Sequence, residues 1–392
     1  MEYNLRRVID EDAIGQLRRR EGLMAELGSE NGEVKLDWVE GVARLLADPR
    51  GLETLEAEAQ AIWERGIRHV IWAGMGGSVM AVRVLTDLGF CSPTTREGPE
   101  HIIIHPLDST DPAALNAIVR AIAAAKGLSL PPVGERVDPP LLPSLLPALL
   151  ADVLMVGVSM GMTSEEPITH LDWFSALLQQ AGLPLPEHLL VMTLSGSYLD
   201  RFAEERQVPS RPLQLDGGTG TGGRMSAPAT RVFLLPAAFA LLSPTSAPGQ
   251  LRAVLREAWD LYDLELAATQ PAQHPFVRLA VAMSASSKDG ACRLLLRLPE
   301  GWHALFPWIE QLMEESLGKG SKGIVVFDYS RRAFPPVHIV GAGVEQGRAG
   351  TLGSPSINLT DVDPMELEQK DDEQTSWQQR MGKRPRNAFR PE

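Results

Sequence analysis

The chain has 392 residues, 44% hydrophobic and 22% charged, which is enough length for two domains and enough apolar surface for packed cores. A formal net charge of −13 argues against a nucleic-acid binder, which needs a basic face, but leaves room for an anionic small ligand held by a few local donors. Cys91 and Cys292, far apart and in no metal-type spacing, read as reduced thiols. Residues 1–7 carry no apolar core of a secretory signal, so the expectation is a cytoplasmic protein. The longest apolar run, 232–242, is about half the ~20 residues a membrane helix needs, so no membrane partner is expected.

Residues 1–66 read as helical, with apolar residues three and four apart over 36–46. The pattern then changes. Short apolar runs at 69–73, 101–105, 153–159 and 189–193 read as strands, and helical stretches are expected from Ser78, from Pro112 behind an Asp-Ser-Thr-Asp cap, and near Ser197. Continuous apolar strands alternating with helices predict an α/β fold with a parallel sheet covered on both faces. Residues 128–149, rich in proline and leucine, read as an insertion: a lid, a partner-binding arm or a passive surface loop. A second, smaller α/β unit is expected from helices at 228–242 and 250–268, a strand at 291–298, a helix at 302–316 and a strand at 323–327. The polar segment from about residue 346 reads as a mobile tail.

Ligands in parallel sheets bind at the carboxyl ends of strands. Two candidate turns fall there. Gly-Met-Gly-Gly-Ser at 74–78 would let the backbone approach a ligand, with Ser78 as a hydroxyl donor; an ordinary tight turn uses glycines equally well. Ser-Met-Gly-Met-Thr-Ser at 159–164 sets three hydroxyls ahead of Pro167, which suits a phosphate or a plain helix cap. Gly-Gly-Arg at 222–224 places a permanently charged guanidinium among flexible residues, fit for an enediolate or phosphate oxygen, or for a solvated loop. Glu315 lies near the end of an apolar-faced helix, where a carboxylate can act as a general base, though a glutamate on a helix is more often simply solvated.

Taken together these motifs, collinear from about Val70 to Phe327, resemble those of the glucose-6-phosphate isomerase family, and most of all its shorter bacterial form found fused to transaldolase. The stretch Trp-Ile-Glu-Gln-Leu-Met-Glu-Glu-Ser-Leu-Gly-Lys at 308–319 is the most specific element of the likeness. The resemblance implies two three-layer αβα sugar-isomerase domains, at 67–215 and 216–345, behind a helical segment 1–66 and ahead of a tail 346–392. It further implies a homodimer, no metal or other cofactor, and interconversion of glucose 6-phosphate and fructose 6-phosphate in glycolysis and gluconeogenesis. By position Glu315 is similar to the base that moves a proton between C1 and C2, and Arg224 to the enediolate-stabilising arginine. Ser159, Thr163 and Ser164 fall in the phosphate loop, Gly77 and Ser78 in the first substrate turn, and Lys370 in a segment similar to the family's last helix.

The chain also departs from the pattern. Met160 and Met162 stand where the family's phosphate loop has a lysine and a glycine. No motif matches the histidine that opens the sugar ring, which the neighbouring subunit supplies in the family; His338 is the candidate on spacing. The stretch between Val340 and the segment of Lys370 is shortened. These departures keep three readings in play: the isomerase, an isomerase of another phosphosugar such as mannose 6-phosphate, and a sugar-phosphate-binding protein that has lost catalysis and acts as a sensor or as a subunit beside a partner such as a transaldolase or a C-terminal chain.

Overall fold

The computed structural model describes residues 2–30, 32–92, 101–132, 142–160, 164–215, 225, 227–242, 248–285, 291–299, 301–316 and 323–329. Nine strands are present among them: β1 (Ser29–Glu30), β2 (Glu33–Val34), β3 (His69–Gly74), β4 (Ile103–Leu107), β5 (Val153–Val158), β6 (Leu189–Thr193), β7 (Ser210–Pro212), β8 (Ala291–Leu296) and β9 (Gly323–Asp328). β1 and β2 form a short antiparallel ladder inside the segment expected to be all helical.

The central feature is a five-stranded parallel sheet in the order β4-β3-β5-β6-β7. β3, β5 and β6 are buried along their whole length, because helices cover both faces. Successive side chains point to opposite faces. Val70, Trp72, Leu154, Val156, Leu190 and Met192 pack with the helices Arg50–Glu64 and Arg231–Leu241. Ile71, Ala73, Val153, Met155, Leu189 and Val191 pack with the helices Pro112–Ala125, Glu166–Ala181 and Tyr198–Arg206. The result is the expected αβα sandwich. Trp72, Phe174 and Phe239 are fully buried in it, each such burial contributing about 1.5–3 kcal/mol.

Local chemistry sets the helix starts. Asp111 accepts from the Ala113 N–H (2.9 Å) ahead of Pro112, and Ser197 accepts from the Asp200 N–H (3.1 Å). Pro167 lies in the first turn of Glu166–Ala181, as the sequence indicates. That helix lies close on β5: a Cβ added to Gly157 would come within 2.5 Å of Leu171.

Several elements differ from their sequence reading. The strand expected at 101–105 is shifted to Ile103–Leu107. It carries Pro106, tolerated because β4 is an edge strand. β7, whose short polar run has no strand signature, was not anticipated. The helix expected over 250–268 breaks at Asp263, which takes a left-handed φ of 45° and caps the following helix Leu264–Thr269 through the Leu266 N–H.

The insertion differs most. Its second half is the helix Leu142–Leu150, with Leu146, Leu149 and Leu150 buried in the cluster that holds Leu171, Phe174 and Leu178. This half is therefore part of the sandwich. Lys126 fixes its end, donating to the Leu149 carbonyl (2.6 Å) and pairing with Asp152. Residues 133–141, like the tail 346–392, lie outside the described residues.

β8 and β9 pair in parallel, with Phe306 of the helix Leu305–Gln311 against Leu294, Leu296 and Val326. A further cluster joins Leu36 and Val39 to Leu264, Ala267, Val277 and Val281. Cys91 is buried, and among the described residues no helix is long and apolar enough to cross a membrane.

Candidate functional site

The order of the five strands reverses between β3 and β5, which lie side by side. At such a switch point the connections leave towards opposite faces and open a crevice at the carboxyl ends of the two strands. The two candidate turns, after β3 and after β5, flank that crevice.

The turn after β3 is a single 3-10 turn, Gly76–Ser78, followed by the helix Met80–Asp87. Gly76 takes φ +54°, a left-handed value that favours glycine. Gly77 is buried and Ser78 is 1% exposed. The Ser78 hydroxyl donates to the Met75 carbonyl (2.7 Å), and the Ser78 carbonyl accepts from the Trp72 indole (2.8 Å). Ser78 thus locks the turn to the sheet; Met75, more than a third exposed, stands on its outer side.

The turn after β5 opens at Ser159, which is buried and donates its N–H to the Met192 carbonyl of β6 (3.1 Å). It ends at Ser164, just before the helix Glu166–Ala181, whose N-terminus presents positive dipole charge. Thr163, between them, lies outside the described residues, as do Arg224 and Lys370. The structure therefore places Gly77 and Ser78 after β3, and Ser159 and Ser164 after the neighbouring β5.

Glu315 is placed by its backbone. The helix expected over 302–316 starts later, at Leu305, with Pro307 in its first turn, and after Gln311 it widens into a π-helical turn, Leu312–Ser316, that contains Glu315. Such turns are frequent at functional sites. Its neighbour Glu314 accepts from the Val326 N–H of β9 (2.8 Å), which pins the turn to the second sheet.

Two groups near the crevice escaped the sequence reading. Tyr198 opens the helix after β6, and its phenol donates to the Ser164 carbonyl. Burial raises its pKa above the usual phenol value, with the carboxylates of Glu166 and Glu165 adding to the rise. His170, one turn into the helix after Ser164, is fully buried, edge-on to Trp173 at 5.5 Å. Burial lowers its pKa, opposed more weakly by the Ser109 main chain and Glu166. A tyrosine or histidine at the start of a helix carries no distinctive spacing, so only the strand order could have pointed to either. Among the described residues no group of three or more His, Cys, Asp or Glu side chains is placed to hold a metal.

A doubly wound αβα fold with paired turns at its switch point defines the class: an α/β protein. No protein-family model and no curated protein sequence matches the chain. Solved structures do. A hypothetical protein from Thermus thermophilus superposes with a TM-score of 0.56 at 21% identity, over 83% of this chain and 65% of that one. A glucose-6-phosphate isomerase from Chlamydia trachomatis superposes with a TM-score of 0.54 at 16% identity, over 82% of this chain and 58% of that one. The α/β fold is thus shared with a sugar-phosphate isomerase, and this chain spans less than two thirds of the length of either structure.

Proposed function

We propose that the protein is an aldose–ketose isomerase that interconverts glucose 6-phosphate and fructose 6-phosphate through an enediolate. The observation that carries this reading is the pairing of the glycine turn after β3 with the hydroxyl turn after β5 across one switch point. One turn allows close backbone approach to a sugar. The other offers hydroxyls and a helix N-terminus to its phosphate. Glu315 takes the proton from C2 of the aldose and returns it to C1, and Arg224 balances the negative charge that develops on the enediolate oxygens. Lys370 is assigned to the same site, and the active unit is a homodimer. The shared fold with the Chlamydia trachomatis isomerase supports the reading.

A second reading has its own observation. The chain covers 58% of that isomerase, and among the described residues the second sheet is a single parallel pair, β8 and β9. A sugar-phosphate-binding subunit completed by a partner chain fits that economy. Fructose 6-phosphate conversion coupled to glucose-6-phosphate dehydrogenase, with Glu315→Gln in parallel, decides between them. Turnover lost in the variant supports the isomerase. Thermal stabilisation by sugar phosphates without turnover in a folded wild type supports the binding subunit.

A further inference from the structure

Trp72 lies within β3 and is fully buried, in the same core cluster as Val79, Val82, Leu235 and Phe239. Its one polar group, the indole N–H, reaches out of that apolar cluster and donates to the Ser78 carbonyl (2.8 Å). A buried tryptophan usually pairs its N–H. Here the partner is the last residue of the glycine turn after β3, so the bond ties the core of the sheet to the mouth of the crevice.

From the indole onward the hydrogen bonds run in one direction. The peptide between Ser78 and Val79 receives the indole on its carbonyl and gives its N–H, that of Val79, to the Gly76 carbonyl (3.1 Å). The peptide between Gly76 and Gly77 is thus engaged at its carbonyl. Its own N–H, that of Gly77, points the opposite way, because C=O and N–H of a planar trans amide are antiparallel. Each bond polarises the next, so the Gly77 N–H at the end of the series is a strengthened donor. The Met75 carbonyl accepts from the Ser78 N–H (3.1 Å) and O–H (2.7 Å), which turns the Gly76 N–H out of the turn in the same way. The turn's own hydrogen bonds use neither glycine N–H, and neither has a partner among the described residues.

We propose that Trp72 is a positioning residue for substrate binding: through these two peptides it holds the Gly77 N–H as a donor to an oxygen of the sugar phosphate. This rests on the reading of the turn after β3 as a substrate turn. With glycine at 74, 76 and 77 the segment has many backbone conformations open to it, and an indole anchored in the sheet selects one. Trp72 has no exposed surface, so it acts through the turn and not by touching the ligand.

The test uses the full chain, with Trp72 replaced site-specifically by benzothienylalanine, which keeps the shape of the side chain and puts sulfur in place of the indole N–H. Wild type and isostere are titrated calorimetrically with fructose 6-phosphate and assayed for turnover. Loss of the indole N–H is expected to weaken fructose 6-phosphate by about three- to ten-fold. KM is expected to rise by the same factor with kcat unchanged, as for lost uniform binding. Wild-type affinity in the folded isostere overturns the role of Trp72 and leaves the reading of the turn standing. A lower kcat with KM unchanged also overturns it, since a merely structural tryptophan would cost folded enzyme and not affinity. A wild type that does not bind fructose 6-phosphate overturns the reading and the inference together. If the isostere does not fold, the assigned indole N–H resonance of Trp72 in the wild type carries the test. Saturating fructose 6-phosphate is expected to shift it through the linked peptides, and an unmoved resonance overturns the proposal.

Discussion

Gly74 and Ser78 are so close that a Cβ on Gly74 would lie 2.3 Å from the Ser78 hydroxyl and 3.3 Å from the Ser78 main chain. The last residue of β3 therefore has to be glycine for the chain to fold back over itself at the crevice. Gly74→Ala pushes Ser78 off the Met75 carbonyl and opens the turn. We expect a loss of about 1–3 kcal/mol, as for other overpacked sites, and weaker sugar-phosphate binding in the fraction that folds. Urea unfolding followed by titration checks both; an unchanged midpoint would mean that the turn is loose.

Glu58 joins three elements of one face of the sandwich. Its carboxylate pairs with Arg211 of β7 (2.7 Å) and with Arg231 at the start of the helix Arg231–Leu241. Arg231 is nearly enclosed, and burial lowers its pKa, with Glu58 acting in the opposite direction. Glu58→Ala leaves that guanidinium buried without its carboxylate, a change that costs about 3–5 kcal/mol when a buried pair is broken. The urea midpoint should fall accordingly. A shift under about 0.5 kcal/mol would place the pair among ordinary surface bridges.

His69 and His105 face each other across β3 and β4, with Nδ1 and Nε2 3.2 Å apart. Burial, and then His69, lower His105 to about 4, and burial also lowers His69. Both rings are neutral in the folded protein, whereas in the unfolded chain each takes a proton near pH 6.5. Stability is therefore complete above that pH and declines as the pH falls from about 6.5 towards 4. For His105 the loss is on the order of 3 kcal/mol over that window. His105→Asn should flatten the dependence of the urea midpoint on pH between 7 and 4.5, and a slope equal to that of the wild type would exclude the pair as its source.

Glu315 stands in the π-helical turn that Glu314 pins to β9. Glu315→Gln keeps shape and polarity but removes the basic oxygen. General-base catalysis contributes typically about 10²–10⁴-fold, so fructose 6-phosphate turnover should fall by at least about 100-fold with ligand affinity retained. Turnover within a few-fold of the wild type would remove Glu315 from the mechanism.

The sequence by itself determined the architecture of the first unit. The runs at 69–73, 153–159 and 189–193 are almost wholly apolar because strands covered on both faces need no polar side, and glycine and serine mark where they end. It also located Gly77, Ser78, Ser159 and Ser164 at carboxyl ends of strands, since turn chemistry is local. What only the tertiary structure decided is everything that depends on long-range packing. The helix Leu142–Leu150 was hidden by prolines 143 and 147, and it forms because Leu146, Leu149 and Leu150 find Phe174 and its neighbours to bury against. β7 exists because β6 offers it an edge. The same holds for the crevice. Tyr198 lies 34 residues from Ser164 in sequence, and only the placement of β6 beside β5 turns that distance into a hydrogen bond.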